Sequence, residues 1–322
     1  MNRTSIIEQA SKRLEELKRS GVVVPRRASV SEPPANTALR QSASSVGEGS
    51  PTSQERGEDG PGRSLSPPIT PAVADDATLA LRHSSRVEVD LERLARNGYL
   101  SKGQERSTLA SEFRLIKRPL LRNVVREKGQ EPNRTSLMMI TSAVAGEGKT
   151  FCAINLALSI AMEVDTSVLL VDADVVRPAV LERLGVSSRP GLLDVLTGDV
   201  RDLSDVILRT NIPKLSILPA GTPHAMATEL LASAAMDEIL LDLAARYPDR
   251  VIVLDAPPLL LTTESPVLAS RVGQVVIVVD AARTPAHKVA QAFATVETCP
   301  VVLSLLNKCS DATASDGYGY AY

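Results

Sequence analysis

LMMITSAVAGEGKTFCAINLALSIAM, residues 137–162, decides the fold. An apolar run, LMMITS, leads into a Gly-rich turn and then into an apolar helical pattern. The same order recurs in SVLLVDAD before a short helix at 178–185, and in LSILPAG before ATELLASAAMDEILLDLAARY. VIVLDAPP follows, then QVVIVVDAA before PAHKVAQAFATVE, and last VVLSLLNK. Continuous apolar strands alternating with helices are strands covered on both faces, which predicts one α/β domain over 137–308 with a mostly parallel sheet flanked by helices.

The turn Ala143–Thr150 meets the needs of a phosphate cradle. Small residues let backbone N–H groups point inward, and a helix N-terminus opening at Thr150 complements negative charge. Lys149 is spaced to reach the β- and γ-phosphates of a nucleotide, and the Thr150 hydroxyl to bind Mg²⁺. The pattern GxxxxGK[ST] is met except at Ala143, which stands where its first Gly belongs. The expected fold is therefore of the P-loop NTPase type. Asp172 and Asp174 close one apolar strand, with Arg177 just beyond, and Asp255 closes another. Carboxylates at the carboxyl edge of an open sheet can hold Mg²⁺ or accept a proton from an attacking hydroxyl. Singly each reads as a turn aspartate; together with the lysine loop they read as a site.

Outside this domain the chain changes character. Ser5 and Glu8 have capping-box spacing, and Ile6, Ile7, Ala10, Leu14 and Leu17 recur at helical intervals, so 1–24 is expected to carry an amphipathic helix that docks on another protein or subunit, or packs on its own domain. Residues 25–85 are rich in Pro, Ser and Gly and lack apolar periodicity, the signature of a disordered linker. Residues 86–136 hold two helical patterns, the second of which Pro119 must start, kink or break. Arg114, Lys117, Arg118 and Arg122 make that second pattern basic. The tail, 309–322, is Gly/Ala/Ser-rich and carries Tyr318, Tyr320 and Tyr322, three of the chain's five tyrosines. A row of phenols with nothing apolar around it suggests a substrate.

Composition bounds the rest. The net charge of −2 favours neither nucleic acid nor an anionic membrane, and three cysteines without metal-ligand or ladder spacing fit a reducing, cytoplasmic setting. No apolar run approaches the ~18 residues of a membrane span, and the N-terminus lacks the apolar region of a signal peptide.

SAVAGEGKT, LLVDADVVRP and VIVLDAPP together resemble the Walker A, A′ and B motifs of bacterial tyrosine autokinases, the P-loop kinases of exopolysaccharide assembly. IIEQASKRLEEL, NGYLS, EFRLIKRPLL, ATELLAS and the terminal tyrosines resemble the stand-alone cytoplasmic subtype found with exosortase systems. The resemblance implies ATP and Mg²⁺ as cofactors, with Gly146, Glu147, Gly148, Lys149, Thr150, Phe151, Arg177 and Asn307 at the nucleotide, Asn307 on the adenine edge. It implies Thr150, Asp172 and Asp255 at the metal, and Lys149, Asp172, Asp174 and Asp255 in catalysis, with Asp174 taking the tyrosine proton. Tyr318, Tyr320 and Tyr322 are then the autophosphorylation sites. Partners implied are a transmembrane polysaccharide chain-length regulator that activates the kinase and recruits it to the inner membrane, further copies of the chain, and a tyrosine phosphatase. The family's E-x-x-R-x-x-R self-association motif falls here on Ser111, Arg114 and Lys117, with serine in the acidic place and Glu112 adjacent. The competing readings are a septum-positioning or plasmid-partition ATPase of the MinD/ParA kind, disfavoured because Val144 stands where those enzymes have a second lysine, and a catalytically inactive nucleotide-binding adaptor.

Overall fold

The structure, a computed structural model, describes residues 85–101, 103, 104, 106–124, 134–246 and 250–309. The expectations for 1–24, for the linker up to residue 84 and for Tyr318, Tyr320 and Tyr322 lie outside them.

Eight strands form one sheet: β1 (Arg86–Val87), β2 (Leu137–Ser142), β3 (Ser167–Asp172), β4 (Leu208–Thr210), β5 (Leu215–Leu218), β6 (Arg250–Asp255), β7 (Gln274–Asp280) and β8 (Val301–Asn307), in the order β1-β4-β5-β3-β6-β2-β7-β8. All pairings are parallel except β4 with β5. Every residue of β2 and β7 is buried, as the unbroken apolar runs require.

Alternation along the strands splits the core into two layers. Met138, Ile140, Val168, Leu170, Val251 and Val253 face α2 (Thr108–Arg122) and α3 (Lys149–Ala161), with α1 (Leu91–Arg96) and α4 (Val180–Arg183) beside them. Leu137, Met139, Leu169, Val171, Ile252 and Leu254 face the opposite layer, built from α5 (Leu192–Leu196), α6 (Leu203–Val206), α7 (Ala227–Ala232), α8 (Ala234–Arg246), α9 (Glu264–Ala269) and α10 (Ala286–Ala294).

Two expectations for the basic helical segment are corrected. Helix α2 is continuous across Pro119, which sits in its last turn; there a proline removes one intrahelical hydrogen bond, and buried Leu120 anchors the turn to the core. Lys117 is turned inward and buried; its Nζ donates to Ser159 O at 2.5 Å and pairs with Glu163 at 2.7 Å. It joins α2 to the end of α3 and presents no charge to another copy, unlike exposed Arg114 and Arg118.

Lys117→Ala should therefore act on stability. It leaves the Ser159 carbonyl without its donor and opens a void under α2, costing about 2 kcal/mol, or roughly 4–8 °C in Tm. Calorimetry with light scattering checks this: an unchanged Tm with a smaller particle would return Lys117 to an intersubunit contact.

Candidate nucleotide and phosphoryl-transfer site

Strands β2, β3 and β6 are neighbours in register, Asp172 lying opposite Asp255 and Asp255 opposite Ile140, so their carboxyl ends reach one edge together. The loop after β2 closes there on the first turn of α3, whose N-terminal cap, Gly148, has φ +98°; Gly146 has φ +85°. A side chain at Gly148 would collide with the Asn307 amide as well as strain the backbone. Ala143 is fully buried and is not among the described positions of positive φ, so alanine costs nothing where the usual motif has glycine.

Lys149 bends back across the loop. Its Nζ donates to Asp174 Oδ2 at 2.6 Å and lies 3.7 Å from Asp255 Oδ1. Asp174 Oδ1 also accepts from the Arg177 N–H at 3.2 Å. Asp172 Oδ2 caps the turn into α4, accepting from Ala179 and Val180 N–H groups at 3.1 and 3.0 Å. Asp172 Oδ1 and both carboxylate oxygens of Asp255 are buried without a hydrogen-bond partner.

Burial and the neighbouring Asp255 charge push Asp172 up to about 7. Burial pushes Asp255 up to about 6, against the opposing pull of Lys149 and the Thr150 hydroxyl. The Lys149 ammonium is itself held above its usual range: burial lowers it, but Asp255 and Asp174 more than compensate.

Orphaned hard oxygens beside a hydroxyl and a glycine loop fit a Mg²⁺-nucleotide, because Mg²⁺ takes one or two carboxylates and completes its shell with phosphate oxygens and water. Among the described residues no preformed group of three metal-binding side chains occurs.

Several expected contacts are placed differently. The Glu147 side chain points away from the cradle and braces it: its carboxylate accepts from Val144 N–H at 2.7 Å, from the Thr284 hydroxyl, and from Asp280 N–H at 3.4 Å. The Phe151 ring packs against Tyr99, with centroids 5.1 Å apart. The Arg177 side chain is exposed. Asn307 donates its amide to Glu147 O at 2.8 Å, pinning the loop.

Other supports were not read from the sequence. Lys308 Nζ bridges Gly146 O at 2.6 Å and Asp280 Oδ2 at 2.8 Å, and this ammonium holds the Asp280 carboxyl below its usual range. Asn155, fully buried, accepts from Leu100 N–H at 2.8 Å and donates to Phe151 O at 3.0 Å, tying the NGYLS segment to the helix behind the cradle. The signal for Asp280 was present in QVVIVVDAA, a third strand ending in aspartate.

Comparison with known proteins agrees with this geometry. A family model described as an AAA domain matches residues 136–303. CpsD of Streptococcus agalactiae, a tyrosine-protein kinase, is 30% identical over 204 residues, covering 62% of this chain and 86% of CpsD. EpsB of Ralstonia nicotianae is 33% identical over 192 residues, 58% of this chain, which spans only 25% of EpsB. The crystal structure of the VpsO kinase domain superposes with a TM-score of 0.51 at 32% identity, covering 64% of this chain and all of that domain.

Two outcomes follow from the site. The raised carboxyls make the metal-free protein lose stability as pH climbs from about 4 to about 7, since the folded state holds protons there that the unfolded chain releases. Asp255→Asn should thus raise the Tm in EDTA at about pH 7.5 by a few degrees, on the order of 1–2 kcal/mol, with a smaller gain at about pH 5; scanning calorimetry at both pH values reads it. Glu147→Gln turns an NH₂ toward either the Val144 N–H or the Thr284 and Asp280 donors and should weaken Mg·ADP about tenfold, roughly 1.4 kcal/mol by isothermal titration calorimetry.

Proposed function

This chain belongs to the bacterial tyrosine-kinase family built on the P-loop AAA domain, and from that membership we propose that it transfers the γ-phosphoryl group of ATP to its own C-terminal tyrosines, Tyr318, Tyr320 and Tyr322. The observation that carries the proposal is Lys149, held by Asp174 and Asp255 over a glycine loop, with the buried Asp172 Oδ1 left without a partner beside it.

Thr150, Asp172 and Asp255 are the residues that would hold Mg²⁺, which supplies neutralisation of phosphate charge when bound. The backbone N–H groups at the start of α3 face the phosphates. Asn307 lies at the loop's rim, consistent with a place near the adenine edge. A phosphate draws Lys149 off Asp174, and this exchange does two things. The ammonium comes to bear on the group being transferred, and Asp174 becomes a free carboxylate. A phenol has a pKa near 10, so Asp174 takes its proton only as the tyrosine oxygen bonds to the γ-phosphorus and the bond to the β-bridging oxygen breaks, releasing ADP.

The point at which β8 ends supports this reading. Strand β8 ends at Asn307, and Asn307 and Lys308 both contact the phosphate loop. From Lys308 the 14 residues to Tyr322 span at most about 46–50 Å, against roughly 40 Å across a domain of this size. A neighbouring copy's site is within reach as well as the chain's own, and transfer between copies is the favoured route. Each phosphotyrosine adds about −1.5 to −2 charge, which repels the tail from an aspartate-lined site and loosens the assembly.

The setting proposed is exopolysaccharide assembly, with a transmembrane chain-length regulator as activator and membrane recruiter and a tyrosine phosphatase as the reversing partner. Among the described residues no helix is long and apolar enough to cross a membrane.

Incubation with γ-labelled ATP and Mg²⁺, in the presence of the regulator's cytoplasmic segment, tests the proposal. Label on the last tryptic fragment, absent from Lys149→Ala and from a protein with all three tail tyrosines changed to Phe, is the expected result. Free phosphate without labelled tyrosine would indicate a switch ATPase, and neither product an adaptor.

A further inference from the structure

A second charged site lies at the opposite edge of the sheet. Val87, Leu208, Leu215, Ile217, Val168 and Val251 point into the layer of α2 and α3, so Arg86, Arg209, Ser216, Ser167 and Arg250, which alternate with them, share the other face. Register sets Arg86 opposite Arg209, Arg209 opposite Ser216, and Ser167 opposite Arg250. Lys214 sits at φ +65° in the turn between β4 and β5, where its Nζ donates to Glu163 O and, at 3.0 Å, to Val164 O, so the cations left to an anion are Arg86 and Arg209. Together these side chains line a cavity of about 440 Å³, and none of its described lining residues is acidic.

Two arginines directly opposite on adjacent strands repel each other, which is destabilising unless an anion lies between them. Edge protection accounts for a charge on β1, the outermost strand, but Arg209 and Arg250 are on strands with neighbours on both sides. On the same face the neighbouring strands bury Leu169, Val171, Ile252 and Leu254, so the arginines form a cationic patch beside an apolar layer.

We infer that this cavity binds a compact, multiply charged phosphate compound, with Arg86 and Arg209 gripping the anion from two strands over the Ser216 hydroxyl. Guanidinium pairs recognise phosphate oxygens bidentately, and the volume suits a sugar phosphate, a diphosphate or one lipid headgroup. The site is formed by strand ends remote from the phosphate loop, so it is independent of the nucleotide site.

Inorganic pyrophosphate in EDTA, titrated calorimetrically into the full chain, is the probe. Binding should persist in Lys149→Ala and weaken at least tenfold in the double variant Arg86→Gln/Arg209→Gln; Ser216→Glu, which places a carboxylate on the cavity floor, should abolish it. Circular dichroism establishes that each variant is folded. Vesicles of phosphatidylcholine with phosphatidylglycerol then distinguish the sources: retention that pyrophosphate competes away assigns the anion to a headgroup, and no retention assigns it to a soluble phosphate compound. Pyrophosphate binding that disappears in Lys149→Ala, or that survives undiminished in both the double variant and Ser216→Glu, overturns the inference.

Discussion

The contact between Lys149 and the carboxylates of Asp174 and Asp255 is the constraint around which this edge of the sheet is arranged. Three acidic side chains, all under a tenth exposed, converge there with one ammonium between them. Like charges in so dry a place are costly, and the cost appears as carboxyls pushed well above their ordinary range and as oxygens with no partner. A fold selected only for stability would replace them with apolar groups. Their retention makes sense when a cation and a polyphosphate share the pocket, because both signs of charge are then balanced.

The loop that meets the phosphates is held from behind by the last two strands. Glu147, Asp280, Thr284, Asn307 and Lys308 form one connected set of bonds running from the loop through β7 to the end of β8. The segment that leaves β8 therefore starts from a fixed point against the loop. Asn307 and Lys308, where the sheet ends, are thereby structural clamps on the loop.

The central strands were legible because burial on both faces forces an unbroken apolar run, and their terminal aspartates stand out against it. The edge was not. Strands β1 and β4 are two and three residues long and alternate an apolar residue with arginine or threonine, too short for any period to register. The direction of β4 depends on a tight turn through Ile212, Pro213 and Lys214, with Lys214 in the left-handed region where glycine would have been the usual signal. Of the site, the residues whose chemistry is tied to position were readable: the lysine, the threonine and the strand-end aspartates. The uses of Glu147 and Phe151 were not, because Glu147 lies inside the loop motif and Phe151 just after it while their side chains point out of the cradle, and tertiary neighbours 133 and 52 residues away decide where they go.

The same neighbours connect the N-terminal extension to the chemistry. Tyr99 stacks on Phe151, and Leu100 hydrogen-bonds Asn155, one turn further along α3. These are the first two turns of the helix that opens at the glycine loop, so the NGYLS segment and that loop share one support. Lys117 makes a second attachment at the far end of the helix through Ser159 and Glu163. Helix α3 is thus held at its start by the NGYLS segment and at its end by α2.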